Sequence, residues 1–181
     1  MGAMAEVIQR DLDGTVEAAV GGDELAFARL VAAHHAEMMR ICLVVARDPV
    51  IAEEAVQSAW AIAWRKLGTV RQVERVRAWL ISVAVNEARG LLRRRGRRAR
   101  HEVSVDPSLQ PGGIDPATGI DHLDMQAALE HLDPDDRALL ALRYVAGFDS
   151  SELSSAIGIS PAGTRTRLKR ILDRLRQELQ S

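Results

Sequence analysis

Between Asp149 and Arg170 the chain spells out where two helices begin, stop and restart, and this punctuation constrains the fold more than any other stretch. Asp149 followed three residues later by Glu152 is a capping-box pair, in which each side chain satisfies a backbone N–H left open at a helix start. Gly158 stands where that short helix must stop, because glycine enters the left-handed turn without a Cβ clash. Ser160-Pro161 then supplies an N-cap and a first-turn proline for a second helix. That helix carries Arg165, Arg167, Lys169, Arg170, Arg174 and Arg176, against only Asp173 and Glu178. A short helix, a glycine turn and a basic helix predict a helix-turn-helix whose second helix enters a DNA major groove. A helical hairpin with a solvated charged face carries the same local signals, so this segment alone leaves both open.

Charge along the chain adds a second signal. The 181 residues allow one domain or two small ones, and their net charge of −1 hides a strong alternation. Residues 1–60 sum to −6, 61–100 to +10, 101–160 to −9 and 161–181 to +4. Two basic blocks divided by an acidic stretch imply two contacts with a polyanion. Within the first block, Arg93, Arg94, Arg95, Arg97, Arg98 and Arg100 are denser than solubility requires. Cys42 is the only cysteine, which excludes a disulfide framework and a cysteine metal cage. The acidic N-terminus does not resemble a secretion signal, and no apolar run approaches the ~20 residues that span a bilayer. A cytoplasmic protein without membrane contact is expected.

The hydrophobic pattern is helical throughout. Phe27, Leu30, Val31, Met38, Ile41, Cys42 and Val45 recur at helical spacing on one amphipathic helix. His34 lies on the same stripe, and Cys42 reads as a small buried hydrophobe. Asp48-Pro49 restarts the chain as N-cap and first-turn proline. The next helix, Val50 to Lys66, turns Ala52, Ala55, Val56, Ala59 and Ala63 inward and is broken at Gly68. Residues 69–75 form a polar loop, and a third helix runs from about Val76 into the arginine block with Trp79, Leu80 and Val83 inward. From His101 to about Gly119, three prolines and three glycines mark a linker. Helical periodicity returns near Leu123, and Asp133-Pro134 starts a helix through Leu139, Leu140, Leu142 and Tyr144 that ends at Gly147. The expected fold is all-α, with two small helical modules joined by a flexible acidic linker. The boundaries are a 1–22 extension, a 23–100 module, a 101–121 linker and a 122–181 helix-turn-helix module.

Three of these segments carry a resemblance. Ala52-Glu53-Glu54-Ala55-Val56-Gln57, continuing to Trp60 and Trp64-Arg65, resembles the most characteristic helix of bacterial sigma factors. Arg77-Ala78-Trp79-Leu80 through Asn86, followed by the arginine run, is similar to the helix after it. Leu132-Asp133-Pro134 through Tyr144, then the helix-turn-helix, is similar to their C-terminal module. Order and spacing match the smallest group, the extracytoplasmic-function sigma factors, which keep only regions two and four. Glu54 stands where aspartate is usual, which keeps the charge. Leu91 replaces a frequent aromatic in the promoter-facing helix, and only six aromatics are available for base stacking. With no further domain after Ser181 in this sequence, regulation by a fused module is not expected.

The resemblance implies a promoter-specificity subunit, not an enzyme, that binds the beta-prime and beta subunits of core RNA polymerase. Asp48, Glu53, Glu54 and Gln57 would meet polymerase, where carboxylates pair with arginines of a partner coiled coil. Read without the resemblance, Glu53 and Glu54 simply complement a helix dipole. The loop Gly68–Arg75, with Asn86, Arg89, Arg93, Arg94 and Arg95, would hold the minus-ten element as a melted single strand, with a base flipped out. Ser160, Thr164, Arg165, Thr166, Lys169 and Arg170 would face the minus-thirty-five duplex, while Arg167 and Arg174 suit phosphate or core-edge packing. An anti-sigma factor is a further implied partner, on the face around Glu53–Trp64 or on the recognition helix. No cofactor, metal or catalytic residue is expected: the five histidines form no ligand motif, and no paired-carboxylate or serine-nucleophile motif appears. The competing reading is a stand-alone helix-turn-helix regulator that binds duplex DNA without polymerase. Such a regulator has no need of the Glu53–Gln57 helix.

Overall fold

A computed structural model describes residues 14–101, 129 and 131–179, with side chains up to residue 98 in the first of these stretches. The expected linker therefore lies outside the described residues, apart from the backbone of His101. Helix α1 covers residues 14–20, α2 Glu24–Ala46, α3 Pro49–Lys66 and α4 Val76–His101. Helix α5 covers Pro134–Leu140 and runs into a π-helical turn over Ala141–Val145; α6 is Ser150–Ile157 and α7 Pro161–Glu178. Among the described residues there is no strand.

Caps set these limits. Asp23, Asp48, Asp133, Asp149 and Ser160 each accept backbone N–H bonds at a helix start, and proline follows three of them. The Asp149–Glu152 capping box forms in both directions. Gly158 caps α6 at φ +78°, and Gly147 reverses the chain at φ +74°. Helix α2 instead stops on Arg47, a non-glycine residue at φ +55° whose N–H returns to the Leu43 carbonyl. That left-handed residue lets Asp48 begin α3 at once.

In the first module α2, α3 and α4 pack against one another. Helix α3 contributes Ala52, Ala55, Ala59 and Ala63, all with no exposed surface. Small side chains at this spacing let neighbouring helices approach closely. Leu30, Met38, Ile41 and Val45 from α2 and Leu80, Ile81 and Val85 from α4 fill the space between. Cys42 joins them, and burial pushes its thiol up to about 12. Thiol reagents should leave Cys42 untouched in native protein and modify it only on unfolding, which a colorimetric thiol titration with and without urea checks. Reaction at the native rate of a free thiol would contradict that burial.

Two expectations are corrected. Residues 69–75 are not a plain polar loop: 3-10 turns over Leu67–Thr69 and Val73–Arg75 bracket them, and Val70 and Val73 pack on the core. Helix α3 ends at Lys66, just ahead of Gly68, where the chain tightens into a 3-10 turn at Leu67. The helix after Asp133 does not stay α to its end: the π turn admits an extra residue, leaves Tyr144 exposed and keeps Ala141 and Leu142 buried. Trp79 packs against the core as expected, although only partly buried.

The two modules also touch directly. Helix α2 packs on α5 and the π turn, α4 packs on α5 and α6, and Leu132, Leu139, Leu142 and Phe148 belong to the same buried cluster as the first module's core. This docking is absent from the sequence-based reading, which left the modules joined by a tether.

Candidate nucleic-acid interface

The exposed side of α3 presents Glu53, Glu54 and Gln57, while Ala52, Ala55 and Ala59 face the core. Gln57 Nε2 donates to Glu53 Oε1 at 3.2 Å. Glu53, Gln57, Trp60 and Trp64 are spaced four, three and four residues apart, so they form one stripe along the helix. Phe27 of α2 packs edge-on to Trp60 and Trp64, at 5.8 and 4.9 Å between ring centroids. Trp60 Nε1 donates to His35 Nδ1 at 3.3 Å, and Trp64 stays 45% exposed. The stripe thus passes from charged to aromatic on one continuous face. Phe27 and His35 are missing from the sequence-based set because they come from a different helix.

Asp48 is placed differently from Glu53. Its Oδ1 caps α3, accepting from Val50 and Ile51, and its Oδ2 accepts from Arg95 Nη1 at 2.6 Å. Burial alone would raise its carboxyl, but these hydrogen bonds prevail and hold it below the ordinary carboxylate range. Two residues assigned to separate contacts, Asp48 to polymerase and Arg95 to DNA, are therefore partners in this structure.

Asn86 and Arg89 stand on α4 where it meets the second module. Arg89 Nη1 donates to Asn86 Oδ1 at 2.9 Å, and Arg89 Nε donates to Asp135 Oδ1 at 2.6 Å. Asn86 Nδ2 donates, at 3.5 Å, to the Ala156 carbonyl of α6. Arg93 lies 3.7 Å from the same Asp135 carboxylate. The Arg89 hydrogen bond first, and the neighbouring guanidinium charges with it, hold the Asp135 carboxyl low against a smaller opposing effect of burial. Arg94, Arg97 and Arg98 remain exposed along α4.

On the second basic helix, Arg165, Thr166, Lys169 and Arg170 lie exposed on one face. Ser160 Oγ accepts from the Gly163 N–H as the N-cap. Thr164 does not belong to that face: it is 1% exposed and its hydroxyl donates to the Ser160 carbonyl at 3.0 Å. One position earlier than Arg165 points inward, so Thr164 is unavailable to read bases. Arg167 packs at the core edge, with Nε donating to Asp136 Oδ1 at 2.6 Å and Asp133 3.5 Å away. Partial burial opposes its charge, but Asp136 outweighs this and raises the guanidinium pKa. The bond also satisfies an Asp136 that is itself only 5% exposed.

Comparison with known proteins decides what this arrangement belongs to. Sigma-70 region 2 matches residues 30–98, and Sigma-70 region 4 matches residues 122–175. The chain is 30% identical over 162 residues to the RNA polymerase sigma factor CarQ of Myxococcus xanthus, covering 87% of this chain and 91% of that protein. It is 31% identical over 172 residues to the ECF RNA polymerase sigma factor SigL of Mycobacterium tuberculosis, covering 90% and 96%. The chain belongs to the extracytoplasmic-function sigma factors. A probable RNA polymerase sigma factor of Xanthomonas campestris, RfaY, is 30% identical over 97% of this chain, which spans 46% of that longer protein. Two solved structures share the fold at 22% identity. One is the sigma factor RpoE of Bartonella quintana in complex with the anti-sigma factor NepR, at a TM-score of 0.71 and covering 85% of this chain and 96% of that one. The other is CnrH in complex with the cytosolic domain of CnrY, at 0.65, covering 92% and 95%.

As a sigma factor the chain is a specificity subunit of RNA polymerase and not itself an enzyme. The region-two match runs from within α2 through α3 and most of α4, and the region-four match takes in α5, α6 and most of α7. Among the described residues no group of histidine, cysteine and carboxylates could hold a metal ion, and no helix is long and apolar enough to cross a membrane. The residues that join the sigma factor's two regions had no signal in the sequence. Arg137, 8% exposed, reaches from α5 to the Val45 carbonyl at 2.9 Å and the Leu132 carbonyl at 2.6 Å. Val45 is among the last four residues of α2, whose carbonyls have no partner within the helix. Arg77 binds Glu37 with two N–H groups and the Ala146 carbonyl at 2.9 Å.

Proposed function

We propose that this sigma factor docks on core polymerase through the stripe Glu53–Gln57–Trp60–Trp64 with Glu54 beside it, and then uses its two basic helices on the promoter. One observation carries the docking assignment: on the helix that matches region two, the polar positions are exposed although nothing in the fold requires them to be acidic. Two carboxylates beside an exposed tryptophan suit a basic helical partner, pairing with its arginines while the ring covers its apolar stems. The beta-prime and beta subunits of polymerase are the proposed partners, and the cytoplasm, where polymerase works, is the proposed location.

Region two would hold the melted minus-ten strand. The turns between Thr69 and Arg75 offer backbone groups and Arg71 and Arg75 for an extruded base, and Asn86 can present donor and acceptor together. Arg93, Arg94 and Arg95 would neutralise phosphates without reading sequence. In region four, Arg165, Thr166, Lys169 and Arg170 would enter the minus-thirty-five major groove, with Ser160 at the phosphate edge. Arginine reads guanine bidentately, at about 1–3 kcal/mol of discrimination per good pair. One solved structure of the same fold is of a sigma factor in complex with an anti-sigma factor, and an inhibitor of that kind is proposed here on the α3 face or the recognition helix. A stand-alone helix-turn-helix regulator is disfavoured, because it leaves the α3 face without a use.

Transcription from a promoter library with core polymerase tests the reading: addition of this chain should give initiation at sites sharing two spaced elements. Arg165→Ala and Arg170→Ala should each relax preference at particular minus-thirty-five positions by roughly tenfold. Removing Arg93–Arg95 should instead weaken binding to all promoters and flatten the salt dependence. Equal loss on every sequence in the recognition-helix variants would reassign those arginines to phosphates. No library-dependent initiation at all would remove the proposed function.

A further inference from the structure

We infer that Asp136 is a positioning residue for promoter recognition: through Arg167 and Arg174 it fixes the rotation of α7 about its own axis, and so where Arg165 and Arg170 arrive in the major groove. The inference rests on the reading of those two arginines as minus-thirty-five contacts. Asp136 itself is 5% exposed, too buried to meet DNA.

The apolar side of α7 does not set that rotation alone. Thr164, Ile171 and Leu175 are buried and Leu168 and Leu172 partly so, a broad stripe held by contacts that have no direction. Such a stripe resists a small roll of the helix only weakly. With its side chains an α-helix is about 10–12 Å across, so a roll of about 30° moves a side-chain tip by about 3 Å. That is a whole hydrogen-bond length, enough to lose a bidentate guanine contact.

Asp136 supplies the missing direction. Its Oδ1 accepts from Arg167 Nε at 2.6 Å, and its Oδ2 lies 3.9 Å from Arg174 Nη1. Arg167 and Arg174 are seven residues apart, about two helical turns, so they leave α7 on the same side and converge on one carboxylate. A charge-assisted hydrogen bond is strong only in good geometry, and breaking one on a buried carboxylate leaves a costly unpaired charge. The other end of the clamp is held as firmly. The Asp136 N–H donates to Asp133 Oδ1 at 2.8 Å as part of the α5 cap, and Arg137 beside it ties α5 to the Leu132 and Val45 carbonyls. Arg165, Lys169 and Arg170 stay exposed. One carboxylate thus divides the basic residues of α7 into those that hold the helix and those left for bases.

Two measurements on the full chain test the clamp. In the parent, the Arg167 Nε–H, assigned in proton–nitrogen spectra by its loss in Arg167→Lys, should exchange with water about tenfold more slowly than the Arg165 Nε–H. Exchange as fast as at Arg165 would overturn the clamp before any variant of Asp136 is made. Promoter-library binding then reads the rotation. Asp136→Ala should reduce discrimination about tenfold at the Arg165 and Arg170 positions together, whereas Arg165→Ala relaxes only its own. Affinity for random duplex DNA should hold or rise, because no cation is lost. Asp136→Asn still accepts from Arg167 but turns an amide toward Arg174; it should lose about threefold, and it carries the test if the alanine variant does not fold. Phe148→Ala, which lowers stability and leaves the clamp residues intact, is the control: folded by circular dichroism, it should keep the parent's preference. Unchanged preference in folded Asp136 variants, or an equal loss in Phe148→Ala, would overturn the positioning role. The minus-thirty-five reading fails separately, if Arg165→Ala and Arg170→Ala both keep the parent's preference. That result would sink the role of Asp136 in recognition, while a protected Arg167 Nε–H would keep the clamp itself.

Discussion

Reversing Glu53 and Glu54 to lysine should lower affinity for core RNA polymerase by more than tenfold while leaving helicity and thermal midpoint nearly unchanged. Both side chains are exposed on α3, and neither caps the helix, a task held by Asp48. Surface charges of this kind contribute within about 0.5 kcal/mol to folding. Close charge pairs across an interface couple by about 1.5–7 kcal/mol, so two reversals place like charges against a basic partner. A titration of labelled chain with core polymerase measures the change, and its salt dependence should weaken in parallel. Equal affinity for parent and variant would move polymerase off this face. Trp64→Ala then separates charge from packing: it should raise the dissociation rate more than it slows association, because the ring acts after encounter.

Phe148→Ala should cost about 3–5 kcal/mol, a large share of the stability of a domain this size. Phe148 is 1% exposed and heads the fully buried side chains by volume. It sits after Gly147, whose left-handed turn drops the ring into the seam between regions, and its carbonyl accepts from Arg143 at 2.7 Å. The residue lies outside both DNA faces, so its loss acts through folding. Urea denaturation should show a lower midpoint, and minus-thirty-five recognition should become temperature-sensitive without a change of sequence preference. A loss below about 1 kcal/mol would mean that the site collapses around the smaller side chain. The two experiments are complementary: one removes an interaction and spares the fold, the other weakens the fold and spares every contact residue.

Local chemistry made most of the helical plan legible. Asp48-Pro49, Asp133-Pro134, Asp149 with Glu152, Gly158 and Ser160-Pro161 mark helix ends because a cap is made by residues two to four positions apart. The inward stripe Ala52, Ala55, Val56, Ala59 and Ala63 was equally readable, since burial on one face leaves a 3.6-residue period. The exposure of Glu53, Glu54 and Gln57 follows from the same stripe. Region-level identity came from three motifs in order, which needed only the linear chain.

Other features depended on what tertiary packing brought together. The π turn at Ala141–Val145 shifts helix register by a residue, and Thr164, a polar residue beside Arg165, turns inward; apolar periodicity specifies neither. Arg167 reads as one more basic residue until Asp136 is seen beside it. The seam between the modules is the clearest case. Arg89 meets Asp135 across 46 positions, Arg77 meets Ala146 across 69, and Arg137 meets Val45 across 92. Caps and periodicity are short-range, so the helices and the faces they bury could be read along the chain. A guanidinium finds a distant carbonyl or carboxylate only after the helices have packed, so the tertiary structure alone decided which basic residues are open to DNA and which are held by the other half of the protein.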